Sequence, residues 1–460
     1  MTGRTIDIGA VIDARPLSRF NYQLIVLSWL ITVFDGFDMM MISFTAPYMR
    51  DQLKLDPIML GYVFSAGLVG MLLGAFSFSW LGDRVGRRPA IVLTVFLFGA
   101  LTIATGFAGS YEALLGLRFL DGLAIGGMLP LTWALNIEYV PQRMRATVVT
   151  VILLGYSIGT AVAGPATVLL APRFGWQAVF FAGGSGSVLA AGLLCVGLPE
   201  SVRFLVSRSR GPAAITAALA RAVPELSVGP QDRFVLGDEA VARAPFRPRQ
   251  LFEGRLRRLT PLLWLGYLAS TLAIYFAANW GPSILESMSF SRTTAAYTAS
   301  IASACGAAFG LLLMRFTDNK GAGAVAVYPL LAVPLLLLVG LVPLPPAVFL
   351  PLSVLVMVLL AGGHFGIQSI VSIYYPSAIR ASGGGWAASV AKLGGIAGPT
   401  IGGFVLASGI PAVRTYALLA FGPAILAVCA LGIARVVRQT TVPGALPAPH
   451  GLAAGAPEAQ

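Results

Sequence analysis

Charge is what this 460-residue chain has least of. Asp, Glu, Lys and Arg make up 11% of it, while 57% is hydrophobic, whereas a soluble domain carries roughly 25% charge. Mean hydropathy is +0.82. So few charges do not cover a water-exposed surface, so the composition excludes a soluble enzyme or binding module and implies a protein whose constant partner is the lipid bilayer. Cysteine is also scarce. Cys195, Cys305 and Cys429 all fall in apolar runs and read as small core residues, which leaves no disulfide or metal framework. The N-terminus lacks a short apolar core followed by a small-residue cleavage site, so no cleavable signal peptide is expected. Outside the apolar runs there is no nucleophile–base pair, metal cluster or phosphate-binding glycine loop. Neither an enzyme nor a cofactor is expected.

Apolar runs of helix-spanning length recur along almost the whole chain, at about 22–48, 59–81, 89–108, 112–137, 146–170, 176–198, 261–287, 293–314, 324–342, 347–374, 382–408 and 412–434. Twelve transmembrane helices are therefore expected. With the N-terminus inside, the inner segments carry 24 Lys/Arg and the outer loops 5, a bias that predicts both termini cytoplasmic. The net charge of +12 is thus a topology signal rather than a nucleic-acid-binding surface. Residues 199–260 are the one long polar interruption and split the spans six and six. The expected organisation is a cytoplasmic N-terminus (1–21), a six-helix bundle (22–198), a cytoplasmic central loop (199–260), a second bundle (261–435) and a disordered cytoplasmic tail (436–460) rich in Pro, Ala and Gly. Within the loop, RQLFEGRLRRL (249–259) spaces its apolar residues for a short helix lying at the inner membrane surface.

The two halves match at one offset of 235 residues. Asp83 maps to Asp318, Gly86 to Gly321, Pro141 to Pro376, Arg145 to Arg380, Ala146 to Ala381 and Gly159 to Gly394. A constant shift across separate loops and helices implies two structurally similar bundles, the arrangement by which transporters rock one half against the other around a midplane site.

Two acids stand deep in the first span, in VFDGFDMMM (33–41). Asp35 falls near the middle of the bilayer and Asp38 one turn further out, on the same helical face. A carboxylate there must face protein or a water-filled cavity, and intramembrane acids are functional by default; both read as proton-coupling residues, and a fixed structural pair with a cation is the alternative. Arg118, in the fourth span at a depth close to that of Asp38, is the matching cation. Its guanidinium is suited to a substrate carboxylate or to an aspartate when no substrate is bound. Asp121, three residues on, is placed to neutralise it. Lys392 is at mid-membrane in the other half, where an ammonium needs an anion. His364 is slightly inward of centre, as a proton carrier, a hydrogen-bond donor or a packing residue. Tyr156 and Tyr275 lie mid-span, where a planar substrate ring would stack. Glu138, twenty residues from Arg118, falls at the inner face with Asp83, Arg87, Arg88, Glu200 and Arg203, a set that reads as an ion-pair latch holding the outward-facing state.

The chain resembles the major facilitator superfamily. LGDRVGRRP (81–89) matches its cytoplasmic signature through Asp83, Gly86, Arg87 and Arg88, with Ser79 where the signature starts with Gly; FTDNKGAG (316–323) is a degenerate second copy that keeps Asp318 and Gly321. RFLDGLAIGG (118–127), EYVPQRMR (138–145) and PESVRFL (199–205) complete the pattern. Within the superfamily it is most similar to the aromatic acid/proton symporter family, through DGFD, LRFLDG, PESVRFL and YYPSAIRASGGGWAASVAKLGGIAGP (374–399). The resemblance spans residues 20–435. It departs at Asp121, where a small or neutral residue is expected, and at Met39–Met41, which replace smaller residues. The GPxxGG element that superfamily antiporters carry in span 5 is incomplete here (GPATVL, 164–169), which favours symport. The resemblance implies a monomer of two pseudo-symmetric six-helix bundles in the inner membrane, importing a benzoate- or hydroxybenzoate-like acid with protons. A proton-coupled exporter, an importer of another small organic acid and a non-transporting sensor stay open.

Overall fold

The computed structural model describes residues 4–208, 211–223, 225, 232–236 and 246–440. Nearly all of these are helical. The first half contains α1 (Ile8–Asp13), α2 (Arg19–Leu53), α3 (Pro57–Val85), α4 (Arg87–Thr105), α5 (Tyr111–Tyr139), α6 (Arg145–Phe174), α7 (Gln177–Gly197), α8 (Val202–Ser207) and α9 (Pro212–Ala222). The second contains α10 (Leu256–Ser287), α11 (Arg292–Lys320), α12 (Ala322–Val325), α13 (Val327–Leu341), α14 (Pro346–Tyr374), α15 (Ser377–Ala407), α16 (Thr415–Leu419) and α17 (Phe421–Thr440). Among the described residues, 11 helical segments are long and apolar enough to cross a membrane. The remaining expected span, 293–314, lies within α11, a helix of 29 residues. In lipid every backbone N–H and C=O must be satisfied within the protein, which helices achieve internally.

The repeat is visible atom by atom. Arg145 Nε donates to Val140 O at 3.3 Å, and Arg380 Nε donates to Tyr375 O at 3.1 Å. Both pairs span five residues and sit 235 apart. A Cβ on Gly159 would lie 2.0 Å from Val33 O; one on Gly394 would lie 2.2 Å from Leu268 O. Those partners are also 235 apart. The crossing of α2 with α6 is thus the crossing of α10 with α15, each closed to backbone contact by the missing side chain. Gly86 and Gly321 both hold positive φ, +110° and +70°.

The halves meet at one end of the bundle, the end away from the chain termini. There Gly61 of α3 faces Pro399 O of α15, with 2.9 Å to a Cβ built on it, and Ser65 Oγ donates to Ile396 O at 2.8 Å. Gly164 of α6 faces Ala296 O of α11 at 2.8 Å on the same measure. Ser43 of α2 bonds Asn279 of α10 at 3.2 Å. An ion-pair cluster closes the rim: Arg292 pairs with Asp51 and, at 2.9 Å, with Glu286, while Arg50 reaches Asp51 at 3.3 Å and Glu286 at 3.7 Å. Charge counting assigned these arginines only to topology.

Two elements differ from expectation. The stretch 249–259 is not one surface helix. Pro248–Phe252 forms a 3-10 turn, Gly254 takes φ +53°, and the chain restarts at Leu256 as the first turn of α10. The glycine breaks the amphipathic pattern, and Arg257 and Arg258 become part of the first turn of a span. The N-terminus also packs against the central loop. Thr5–Asp7 (β1) pairs in parallel with Arg233–Val235 (β2), and Ile8 and Ile12 of α1 join Ile215 and Leu219 of α9 in one core. The expected tail from 441 onward lies outside the described residues.

Candidate functional site

Arg118 organises the first centre. It sits on α5 and is 3% exposed, facing Asp38 of α2 and Asp121 of its own helix, which are 1% and 0% exposed. A single nitrogen, Nη1, donates to Asp38 Oδ2 at 2.9 Å and to Asp121 Oδ2 at 2.6 Å. The i, i+3 spacing brings Asp121 back over Arg118 on one helical face. Thr102 of α4 lies with its hydroxyl 3.3 Å from Oδ1 of each acid. The other edge of the guanidinium is different. Nε is buried with no hydrogen-bond partner among the described residues, and Gly67 of α3 packs beside it, 3.5 Å from Nη2 to a Cβ built on it. Buried donors without partners are uncommon and call for an explanation. Thr102 was missed in the sequence because a neutral hydroxyl in an apolar helix carries no signal.

Asp35 forms a second centre. The two aspartates share a buried stretch of α2 but diverge: Asp38 turns to α4 and α5, and Asp35 does not join them. Both oxygens of Asp35 are buried and unpartnered among the described residues. Its charge is within electrostatic range of Tyr156 on α6 and Tyr275 on α10, and those two tyrosines of each other. Gly36 makes this possible by packing directly on the Tyr156 backbone. Tyr156, Tyr275 and Asp35 therefore converge from both halves. Lys392 lies one turn along α15 from Gly395, whose missing side chain faces the Tyr275 ring. It is half-buried, with no carboxylate in ion-pair range among the described residues. His364 stands apart, its Nδ1 3.3 Å from Ser270 Oγ and its ring centred 5.5 Å from that of Tyr267. The structure does not bring it to Asp35.

The methionine run also divides. Met41 packs on Gly183 of α7, in the core. Met40 lines a small cavity with Phe44, Phe276, Ser303 and Met357, between α2 and the second half. This cavity is largely apolar and does not contain the charged residues.

The signature residues cluster at the end that carries the chain termini. Arg87 pairs with Glu138, and Glu138 Oε2 accepts from Ser201 Oγ at 2.6 Å. Glu200 accepts from the backbone N–H of Arg87 at 2.9 Å and of Arg88 at 3.2 Å. Gly86 is required beneath it, since a Cβ would lie 2.4 Å from Glu200 Oε2. Asp83 is exposed at the end of α3, its carbonyl accepting from Arg208 at 3.1 Å. Arg203 lies in α8. The Arg87, Arg88, Glu138 and Glu200 contacts join helices of the first half to each other and do not bridge the halves in this state. Arg145 and Arg380 cap the chain at equivalent positions, as described. The side chain of Asp318 lies outside the described residues.

Two repeat-related halves of membrane-spanning helices, with charges buried among them, define a multi-pass carrier of small solutes. The chain belongs to the major facilitator superfamily, whose family model matches residues 28–399. The 4-hydroxybenzoate transporter PcaK of Pseudomonas aeruginosa is 31% identical over 408 residues, 88% of this chain and 90% of the relative. The gallate transporter of Pseudomonas putida is 32% identical over 436 residues, covering 94% and 96%. A solved bacterial homolog to the human lysosomal transporter Spinster, in an inward-facing and occupied conformation, superposes with a TM-score of 0.70 at 16% identity, covering 92% of this chain and 98% of that one. At that identity the likeness establishes the fold alone.

Proposed function

We propose that the protein imports an aromatic carboxylate together with protons by alternating access, as a monomer in the inner membrane with both termini cytoplasmic. The observation that carries the reading is the guanidinium of Arg118: Nη1 is held by two acids of the protein, while Nε is buried without a hydrogen-bond partner among the described residues, a donor suited to a substrate carboxylate. The names of the relatives, 4-hydroxybenzoate and gallate transporters, support an aromatic acid as the substrate class. Tyr156 and Tyr275 are then placed to stack on its ring, and Lys392 supplies a second positive charge from the opposite half.

The coupling scheme follows from charge balance. From outside, a proton neutralises Asp35 or Asp38; at Asp38 this weakens the hold of the acids on Arg118 and lets the substrate carboxylate take its place. The loaded protein rocks, and both ligands leave on the cytoplasmic side. The described contacts between halves lie at the end away from the termini; with the termini cytoplasmic, this is an inward-facing arrangement. The domain boundaries at 22, 199, 261 and 436 and the latch role of Asp83, Glu138, Glu200 and Arg203 belong to this proposal.

Uptake into proteoliposomes tests it. Labelled 4-hydroxybenzoate, gallate and benzoate are offered with an inward acid gradient. Accumulation that a protonophore abolishes is expected, and Asp35→Asn and Arg118→Ala each remove it. Substrate leaving as protons enter would identify an exporter, and binding without flux a sensor; either result rejects import. Near-normal accumulation in a variant removes that residue from the scheme.

A further inference from the structure

The Arg118 centre holds one cation and two acids. Asp38 and Asp121 both bond the same Nη1 through Oδ2, at 2.9 and 2.6 Å, so these two oxygens lie no further apart than the two hydrogen-bond distances together. Thr102 reaches both at 3.3 Å but owns a single proton and serves one acid at a time. Among the described residues no other cation compensates. Of the elements packed here, α2 presents Asp35 and Asp38, α4 presents only the Thr102 hydroxyl, and α5 presents Arg118. Among the described residues α3 offers glycines 67 and 70 and α7 offers Gly183, Gly184 and Ser187. Tyr156 is within electrostatic range of both Asp35 and Asp38, and Tyr275 of Asp35. With all three acids ionised, the buried region would carry two uncompensated negative charges, a state that neighbouring carboxylates avoid by sharing a proton.

We propose that Asp38 and Asp121 hold a single proton between them beside Arg118, so that the proton-carrying unit is this pair and not Asp38 alone. The inference rests on the reading of Asp38 and Arg118 as coupling residues and gives Asp121 a part in it. Asp121 acts on Asp38 in two ways. It occupies Nη1 in competition with Asp38, and it supplies the second carboxylate of the pair that shares the proton. The guanidinium is kept in place by whichever acid is ionised, with its Nε edge toward Gly67. A pair of this kind titrates as one coupled unit.

The test reads the proton directly. Infrared spectra of the purified full-length protein report the C=O stretch of a protonated carboxyl, and the Asp35→Asn background removes the contribution of that residue. At neutral pH the band is expected in this background. Adding Asp121→Asn or Asp38→Asn abolishes it, because each leaves one acid opposite one arginine. Asp121→Glu, which keeps the pair, retains the band at a shifted frequency and guards against a folding defect in the amides. A band absent from the background, or unchanged by Asp121→Asn, overturns the proposal. In proteoliposomes the pH of half-maximal uptake moves to the acid side by at least about one unit in Asp121→Asn; an unmoved half-maximum overturns it as well. A protein that shows the band but no proton-driven uptake keeps the shared proton and loses the import reading, so the two failures are distinct.

Discussion

Arg118 shows what a single buried charge does at the residue scale. Removing one member of a buried ion pair costs about 3–5 kcal/mol, because the partner is left charged without compensation. Arg118→Ala leaves two such partners, Asp38 and Asp121, both essentially inaccessible to water. Lower thermal stability in detergent is therefore expected, with a particular pH dependence. In the variant the folded state takes up protons at these acids more readily than the unfolded chain, so its stability rises as pH falls. The gap to the wild-type unfolding temperature should narrow from neutral to mildly acidic pH; a gap independent of pH would show that lost packing, not stranded charge, is responsible. Asp35, Asp38 and Arg118 were legible in the sequence because charge in an apolar run is costly and therefore conspicuous. Their pairing was only partly so. Helical spacing suggested Asp121 as a partner of Arg118, but placed Asp35 and Asp38 together, whereas they point to different neighbours. Small differences in helix rotation decide such contacts, and no residue pattern records them. A second residue-scale expectation concerns Gly86. A side chain there meets both a strained φ of +110° and the Glu200 carboxylate. Gly86→Ala should cost about 1–3 kcal/mol, seen as a lower unfolding temperature.

At the scale of elements, the two halves reuse one crossing. Gly159 lets α6 lie on the Val33 carbonyl of α2, and Gly394 lets α15 lie on the Leu268 carbonyl of α10. Dispersion contacts at close approach hold membrane helices together, since lipid is as apolar as the side chains it would replace. A methyl group at either glycine must push the helices apart, and overpacking of this kind costs about 1–3 kcal/mol. Gly159→Ala and Gly394→Ala should lower the unfolding temperature by similar amounts, because the geometry they disturb is the same. A large asymmetry between them would mean that one crossing is slack. The offset of 235 predicted this equivalence from residue identities, and the span limits followed from hydropathy. The cap made by β1, α1, α9 and β2 was not foreseen. Its apolar residues are few and lie in short polar segments, where period and hydropathy carry little information. The surface helix expected at 249–259 failed for a related reason: one glycine at positive φ outweighs an amphipathic pattern of eleven residues.

At the scale of the whole molecule, the question is what keeps the end away from the termini shut. Two kinds of contact compete for the role. The cluster of Arg50, Asp51, Glu286 and Arg292 joins α2 to the α10–α11 turn, but Asp51 is 52% exposed in its side chain and Arg292 34%. Pairs this exposed contribute about 0.2–1 kcal/mol each and are screened by salt. The glycine contacts of α3 with α15 and of α6 with α11 exclude water and hold backbone against backbone, so any side chain added there obstructs closure outright. The helix contacts should therefore dominate. The check is the labelling rate of Met40→Cys, on a background free of the three native cysteines, by a membrane-impermeant maleimide from outside. Met40 is 6% exposed behind the closed end. Arg292→Ala should raise the rate by no more than about fivefold, the equivalent of roughly 1 kcal/mol, with high salt producing a similar rise in the parent. Gly61→Leu, which places a bulky group against Pro399, should raise it well beyond that and be indifferent to salt. If Arg292→Ala instead matches Gly61→Leu, the charged rim is the lock and the helix contacts only follow it.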